Sequence, residues 1–263
     1  MSGLTQFKNP KVTIVTVAFN ASDEIETTLK SIISQSYLNK EIIVIDGGST
    51  DGTIELVQKY KDKIDHFKSE KDNGIYDAMN KGIKYSSGDW ICFMNAGDTF
   101  FSKKTIQSIF DKEEISHDIL AGDCIADYKS FTKLLKVKDM SEINYGMIFC
   151  HQAVIVRADI YREKMFDTSY KIASDFNFFY WCHLSNKKIR VYDFPFSIVT
   201  TGGVSDTMKF KVILENRKTL RQFSKTNFYI EFKYLLKIIW TLIKSLIEVI
   251  LPRSLALLIK KII

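Results

Sequence analysis

Residues 11–53 read KVTIVTVAFNASDEIETTLKSIISQSYLNKEIIVIDGGSTDGT. The first eight, Lys11–Ala18, are a run of β-branched and apolar side chains, which predicts a buried strand. Asn20 and Ser22 stand where caps are needed for a helix from Asp23 to Gln35, with Ile25, Leu29, Ile32 and Ile33 at helical spacing. EIIVID, Glu41–Asp46, is a second buried strand. Gly47, Gly48 and Ser49 form a turn into a helix over residues 53–60.

Working outward, the alternation continues. A strand is predicted near residues 64–69, a helix over 74–85 and a strand over 90–94 (WICFM). Such alternation implies an α/β fold with a mostly parallel sheet covered by helices on both faces. Ligands of such sheets bind beyond the carboxyl ends of the strands, and Asn20, Asp46, Asp72 and Asp98 all fall there. Beyond residue 110 the pattern is less regular. Strands are expected at 118–126, 152–156, 189–192 and 196–200, and a helix at 174–184.

The 263 residues suffice for one large domain with an appendage, and 46% hydrophobic with 26% charged residues is ordinary for a chain with a real core. A net charge of +6 suits anionic small molecules or acidic lipid; with no recognition helix or stacked-aromatic motif, nucleic acid is not an expected partner. Cys92, Cys124, Cys150 and Cys182 form no C-x-x-C pair, and adjacent Cys–His dipeptides chelate poorly, so reduced thiols are expected rather than zinc. The polar first ten residues contain no apolar signal segment, which makes the cytoplasm the expected compartment.

Three segments carry chemistry. In the first, AFNAS follows the opening strand where a dinucleotide fold would need G-x-G-x-x-G, which disfavours a nicotinamide enzyme. Asp46 can hydrogen-bond a base or ribose; the alternative is a turn aspartate that caps the next helix, a part Asp51 fits better. The second, DNGIYDAMNKGI (residues 72–83), opens a helix after Asp72, a contact or an N-cap. Asn80 and Lys81 have no evident packing role, and Gly82 is costly mid-helix unless something approaches closely. In the third, GDWICFMNAGD (residues 88–98), a buried strand ends at Asn95 and puts Asp98 at the ligand edge. There it can ligate Mg²⁺ or Mn²⁺, or cap a helix after Phe101.

In this order the segments resemble the family-2 glycosyltransferases, over roughly residues 11–205. The resemblance implies a GT-A fold, a nucleotide-sugar donor (UDP-linked), a divalent Mn²⁺ or Mg²⁺ ion and inversion at the anomeric carbon. It implies donor contacts from Asn20, Asp46, Asp72, Asn80, Lys81 and Asn95, and metal ligation by Asp98. The family's D-D-G-S turn reads DGGS here, so Gly47 replaces an acid, and its acidic metal motif reads NAGD. In KIASDFNFF (residues 171–179) Asp175 matches the family's catalytic base, with Ser174 where a glutamate is usual; the alternative is an N-cap, a part Ser174 could also fill. An acceptor hydroxyl is a weak nucleophile, and a carboxylate within hydrogen-bond reach can take its proton. His151 and Gln152, in a C-H-Q run similar to bacterial relatives, are candidate acceptor or diphosphate contacts, and Gly202–Ser205 is a candidate loop over the donor.

The chain divides by character into residues 1–206 and a helical region, 207–263. On a helical wheel Lys233, Lys237, Thr241, Lys244 and Glu248 fall within about 80°, and the remaining arc is Leu, Ile, Val and Trp. No stretch reaches the ~20 uncharged residues of a spanning helix. An in-plane membrane helix through residues 228–263 is expected, with packing on protein as the alternative. The expected activity is sugar transfer to a lipid-linked saccharide in bacterial surface polysaccharide synthesis, on the inner face of the plasma membrane. Transfer to polyprenyl phosphate, an impaired scaffold of the same fold, and nucleotidyl transfer are the rivals.

Overall fold

The computed structural model describes residues 9–110, 115–203, 207–223 and 225–250. The chain runs β1 (Val12–Ala18), α1 (Ile25–Ile33), β2 (Lys40–Asp46), α2 (Thr53–Gln58), β3 (His66–Ser69), α3 (Ile75–Tyr85), β4 (Trp90–Phe93), β5 (Thr99–Phe100) and α4 (Thr105–Phe110). It continues through β6 (Ile119–Asp127), β7 (Thr132–Leu135), β8 (Val154–Arg157), α5 (Ala158–Glu163), α6 (Ser174–Leu184), β9 (Ile189–Thr200), α7 (Lys209–Gln222) and α8 (Phe228–Ile250).

One sheet holds the strands in the order β3-β2-β1-β4-β8-β6-β9-β5, with β7 paired to β6. The expected parallel part is β3-β2-β1-β4. β1 feeds β2 on one side, and the chain returns to place β4 on the other. The loops after β1 and β4 therefore diverge at a topological switch point, where an open α/β sheet leaves a crevice. Beyond β4 the sheet is mixed: β8 runs antiparallel to β4 and β6, while β9 is parallel to β6. Because β8 is reversed, the segment that enters it, residues 150–153, lies at the carboxyl end of β4.

Side-chain alternation sends the two faces of the sheet into separate cores. Val12 and Ile14 pack with Ile32, Trp90, Cys92 and Ile106. Val15 and Val17 pack with Met79, Ile83, Phe93 and the aromatic run of α6. Gly82 is explained here: a Cβ on it would lie 2.3 Å from Val15 Cγ1, so α3 rests directly on β1. The two short strands expected at 189–200 are one strand. Its pairing with β6 slips around Gly122 and Asp123, which face Tyr192 and Pro195. A proline that cannot donate to the ladder is accommodated at such an irregularity.

The region after residue 206 differs in character, but packing runs across that boundary. Leu220, Ile230 and Tyr234 are buried in the same cluster as Phe176, Phe178 and Phe179. The inward face of α8 is Ile230 and Tyr234, and Lys237 on the same side reaches the Tyr145 carbonyl. Leu235, Leu236, Ile239, Trp240, Leu242 and Ile243 point outward and are exposed. None of the helices among the described residues is long and apolar enough to cross a membrane. Val204, Ser205 and the basic tail after Pro252 lie outside the described residues.

Candidate active site

The loops after β1 and β2 are stitched together before any ligand is considered. Asp46 is fully buried, and its carboxylate accepts from the Gly48 and Ser49 N–H groups (3.0 Å each), Ser49 Oγ (2.5 Å) and Ser69 Oγ (2.7 Å). It thus shapes the turn on which a donor would lie. Asn20, expected among the caps of α1, has a left-handed backbone (φ 47°) and turns its Oδ1 to the Thr50 N–H at 3.0 Å. Its own N–H donates to Ser49 Oγ, 2.7 Å away. Ser22 likewise caps nothing by side chain, since the N-cap of α1 is Glu24. Asp51 accepts from the Ser22 and Thr53 N–H groups and Thr53 Oγ1, which holds its carboxyl well below the usual range.

Gly47 makes room for two neighbours. A Cβ there would lie 2.5 Å from Asp72 Oδ2 and 3.3 Å from the Phe19 ring. Phe19 is 63% exposed, an aromatic face beside a carboxylate at the end of β1. The other Asp72 oxygen accepts from the Gly74 N–H at 2.8 Å, at the start of α3. Asp72 and Phe19 therefore occupy the space that a second acid at position 47 would fill.

Two residues expected on the donor side are engaged within the fold. Asn80 forms a two-bond clamp with the Phe166 backbone, donating to its carbonyl (2.8 Å) and accepting from its N–H (3.0 Å). The Lys81 ammonium lies 3.1 Å from Glu70 and 3.4 Å from Asp77. Burial works against that charge, but the two carboxylates outweigh it and raise its pKa. The fold gives both side chains structural partners that the sequence did not reveal.

Asp98 sits at the switch point, 6% exposed, and precedes β5 rather than capping a helix. Its Oδ2 accepts from Gln152 Nε2 (2.9 Å) and its Oδ1 from the Thr200 N–H (3.3 Å). Burial, with the Glu24 charge, outweighs these two donors, and the carboxyl is pushed up to about 7. The loop is fixed by Thr28 of α1, whose hydroxyl donates to the Asp98 carbonyl (2.8 Å) and accepts from the Gly97 N–H (3.0 Å). Gly97 needs φ 98°, which a side chain would disfavour. Asn95 Oδ1 is buried without a partner in the protein.

Asp175 lies in the first turn of α6, its Oδ1 accepting from the Tyr76 hydroxyl at 3.0 Å and the Phe176 N–H at 2.8 Å. Beside Tyr76 lies a shallow surface cleft lined by Asn73, Gly74, Thr168, Tyr170 and Lys171. His151 is buried among Phe93, Phe166 and Phe179. Burial lowers its pKa, and the Asp175 charge opposes that shift. Gln152, the next residue, bonds Asp98, and Cys150 Sγ donates to Gln152 Oε1 at 3.2 Å. The segment 150–152 thus reaches Asp98 by a hydrogen bond and packs on α6 through the His151–Phe179 ring contact.

Mg²⁺ and Mn²⁺ take oxygen ligands, retain waters and commonly use one or two carboxylates beside substrate phosphates. Among the described residues no group of three His, Cys, Asp or Glu side chains could hold a metal alone. Asp98, with the unpartnered Asn95 oxygen nearby in sequence, fits a site that a diphosphate would complete, not a closed protein cage. Phe19, Tyr76 and Thr200 were missed as site residues. The first two lie inside the quoted motifs, but only the fold shows that they face other site residues.

A glycosyltransferase of PGL/p-HBAD biosynthesis from Mycobacterium bovis is 26% identical over 216 residues, 78% of this chain and 83% of the relative. An uncharacterized glycosyltransferase of Mycobacterium tuberculosis is 40% identical over 92 residues, 35% of each chain. Among solved structures, S. aureus TarS 1-349 in complex with UDP superposes with a TM-score of 0.64 at 21% identity, over 80% of this chain and 65% of that one. The mannosyltransferase PcManGT of Pyrobaculum calidifontis, in complex with GDP-Man and Mn²⁺, gives 0.68 at 15% identity, over 96% and 79%. These likenesses establish a GT-A fold. Residues 13–186 match the model of glycosyl transferase family 2, and the chain belongs to that family of glycosyltransferases.

Proposed function

We propose that the protein transfers a sugar from a nucleotide diphosphate donor to an acceptor hydroxyl with inversion, and that the acceptor is a lipid-linked saccharide. The observation that supports this reading is the 150–152 segment, whose Gln152 bonds Asp98 and whose His151 ring packs on Phe179 of α6, the helix that carries Asp175 in its first turn. The nucleoside would lie over the 46–53 turn, its base against Phe19 and Asp72. UDP and GDP-mannose in the two similar structures agree with a donor of this class.

Asp98 and Asn95 would hold Mn²⁺ or Mg²⁺ together with the donor's diphosphate. When bound, the ion offsets charge on the departing diphosphate. Gln152 and the Thr200 N–H orient the Asp98 carboxylate, while Tyr76 orients that of Asp175. Asp175 takes the proton of the acceptor hydroxyl as its oxygen bonds to the anomeric carbon and the bond to the diphosphate breaks. The lipid part rests on α8, whose inner face docks on the core through Ile230 and Tyr234 while Leu235, Leu236, Ile239 and Trp240 face outward. A second, exposed apolar face suits a helix lying on the cytoplasmic face of the plasma membrane.

A panel of UDP-, GDP- and dTDP-sugars with Mn²⁺, read by thermal shift, tests the donor. A ligand at 100 times its Kd adds about 2.7 kcal/mol, a shift of roughly 5–10 °C for a chain of this size. Product analysis with polyprenyl diphosphate-saccharide and with polyprenyl phosphate then tests the acceptor. No shift with any sugar nucleotide, or release of pyrophosphate in place of nucleoside diphosphate, would overturn the proposal.

A further inference from the structure

We propose that Glu215, on a helix outside the sequence motifs, is a positioning residue for Asp175. The inference rests on the reading of Asp175 as the base. Glu215 lies on α7, and its carboxylate accepts from three consecutive backbone N–H groups. These belong to Lys171 (3.0 and 3.2 Å to the two oxygens), Ile172 (2.9 Å) and Ala173 (3.0 Å). Ser174 then opens α6, and Asp175 is the next residue. Three successive amides that converge on one anion fix the backbone of all three residues, and with it the direction in which the first turn of α6 leaves. The same loop carries Thr168, Tyr170 and Lys171 on the wall of the cleft beside Tyr76.

The grip comes from one face of α7. Glu215, Thr219 and Gln222 follow one another at i, i+4 and i+7. Gln222 Oε1 accepts from the Tyr170 hydroxyl (2.8 Å) and Asn177 Nδ2 (3.0 Å), and Thr219 Oγ1 donates to the Tyr170 oxygen (3.3 Å). The contacts bracket Asp175: residues 170–173 are held before it and Asn177 after it. α7 is in turn tied to α8, where Glu231 accepts from Arg217 (2.5 Å) and Arg221 (3.0 Å). The helical region is therefore part of the support of the reacting group as well as a surface anchor. Glu215 itself touches no reacting atom. It acts by holding a carboxylate where misplacement of about 1 Å can cost on the order of a hundredfold in rate.

The test is a double-mutant cycle on the full chain, with Glu215→Ala, Asp175→Asn and the pair, measuring kcat, donor KM and melting temperature. Glu215→Gln accompanies it as a variant of equal size, whose amide keeps one acceptor oxygen but sets an N–H₂ against the backbone donors. A fall in kcat on the order of ten- to a hundredfold is expected for Glu215→Ala, a smaller one for Glu215→Gln, and donor KM within about twofold in both. In the Asp175→Asn background Glu215→Ala should cause no further loss, because its effect passes through the group already removed. A helix-stabilising role alone would lower the melting temperature and leave kcat of the folded fraction intact, which overturns the inference. So does the same loss in both backgrounds. Should Glu215→Ala not fold, a wild-type kcat in Glu215→Gln refutes it equally. Full activity in Asp175→Asn would sink the reading of Asp175 and the part of Glu215 with it. An inactive Asp175→Asn beside a fully active Glu215→Ala sinks the inference alone.

Discussion

Replacing Leu235, Leu236, Ile239 and Trp240 together by glutamine should release the protein from membranes without unfolding it. These four side chains are 51%, 45%, 44% and 51% exposed and lie on the outward arc of α8. Full burial of such a side chain is worth about 1.5–3 kcal/mol, and lipid would cover only the exposed half, so roughly 0.8–1.5 kcal/mol each. Four of them sum to roughly 3–6 kcal/mol, or two to four powers of ten in partitioning. Glutamine keeps helix propensity, so the inner face of Ile230 and Tyr234 should still dock. Deletion of the helix is a poorer test, because it would uncover the core in which those two residues are buried. Co-sedimentation with vesicles of mixed zwitterionic and anionic lipid reads the outcome, with melting temperature as the control for folding. A variant that folds and sediments like the wild type would refute the idea that this face meets lipid. So would a wild-type protein that never sediments.

Gly47→Ala should drive its new Cβ against Asp72 Oδ2 and displace that carboxylate. Donor affinity by titration should fall on the order of tenfold, the worth of a hydrogen bond to a charged group, and unchanged affinity would remove Asp72 from the donor site. Glu41, near the amino end of β2, accepts from Thr13, Ser87 and Lys11, which overcome its burial and lower its pKa to about 2. Its stabilisation, up to about 3 kcal/mol, is complete above the ordinary carboxylate pKa and is lost as pH falls toward 2. Urea unfolding of Glu41→Gln should therefore show a large deficit at pH 7 that narrows by pH 3, and a constant deficit would contradict it. Gly122→Ala places a Cβ 2.2 Å from the buried Phe196 ring. It should cost roughly 1–3 kcal/mol of overpacking, visible as a lower melting temperature, and Phe196→Leu should restore part of it; no loss in Gly122→Ala would contradict this.

The parallel half of the fold was legible because β1, β2 and β4 are short apolar runs, and turn residues and amphipathic helices separate them. The later half was legible in part: β6, β8 and α6 fall where they were expected, while β5 and the continuity of β9 did not show. β5 has two residues, too few for any periodicity. β9 reads as two strands because Pro195 interrupts it, and pairing with β6 through a register slip keeps it whole. Among site residues, Asp98 and Asp175 could be named from motifs, but their neighbours depend on strand order. The reversal of β8 brings Gln152 to Asp98, which no local pattern encodes. Asn80 and Lys81 show the converse. Polar residues with no evident packing role were expected to meet a ligand, yet tertiary partners, Phe166 for one and Glu70 for the other, were hidden in sequence. Glu215 was invisible because its partners are backbone amides, which every sequence supplies.

The pairing of one metal-side acid with one acceptor-side acid is tested most directly by transfer and donor binding in Asp98→Ala and Asp175→Asn with Mn²⁺ present. Asp98→Ala should lose Mn²⁺-dependent donor binding along with transfer. Asp175→Asn should bind donor as tightly as the wild type while its transfer rate falls by at least 10²-fold, the lower range for a missing general base. Wild-type rates in both variants would contradict the account.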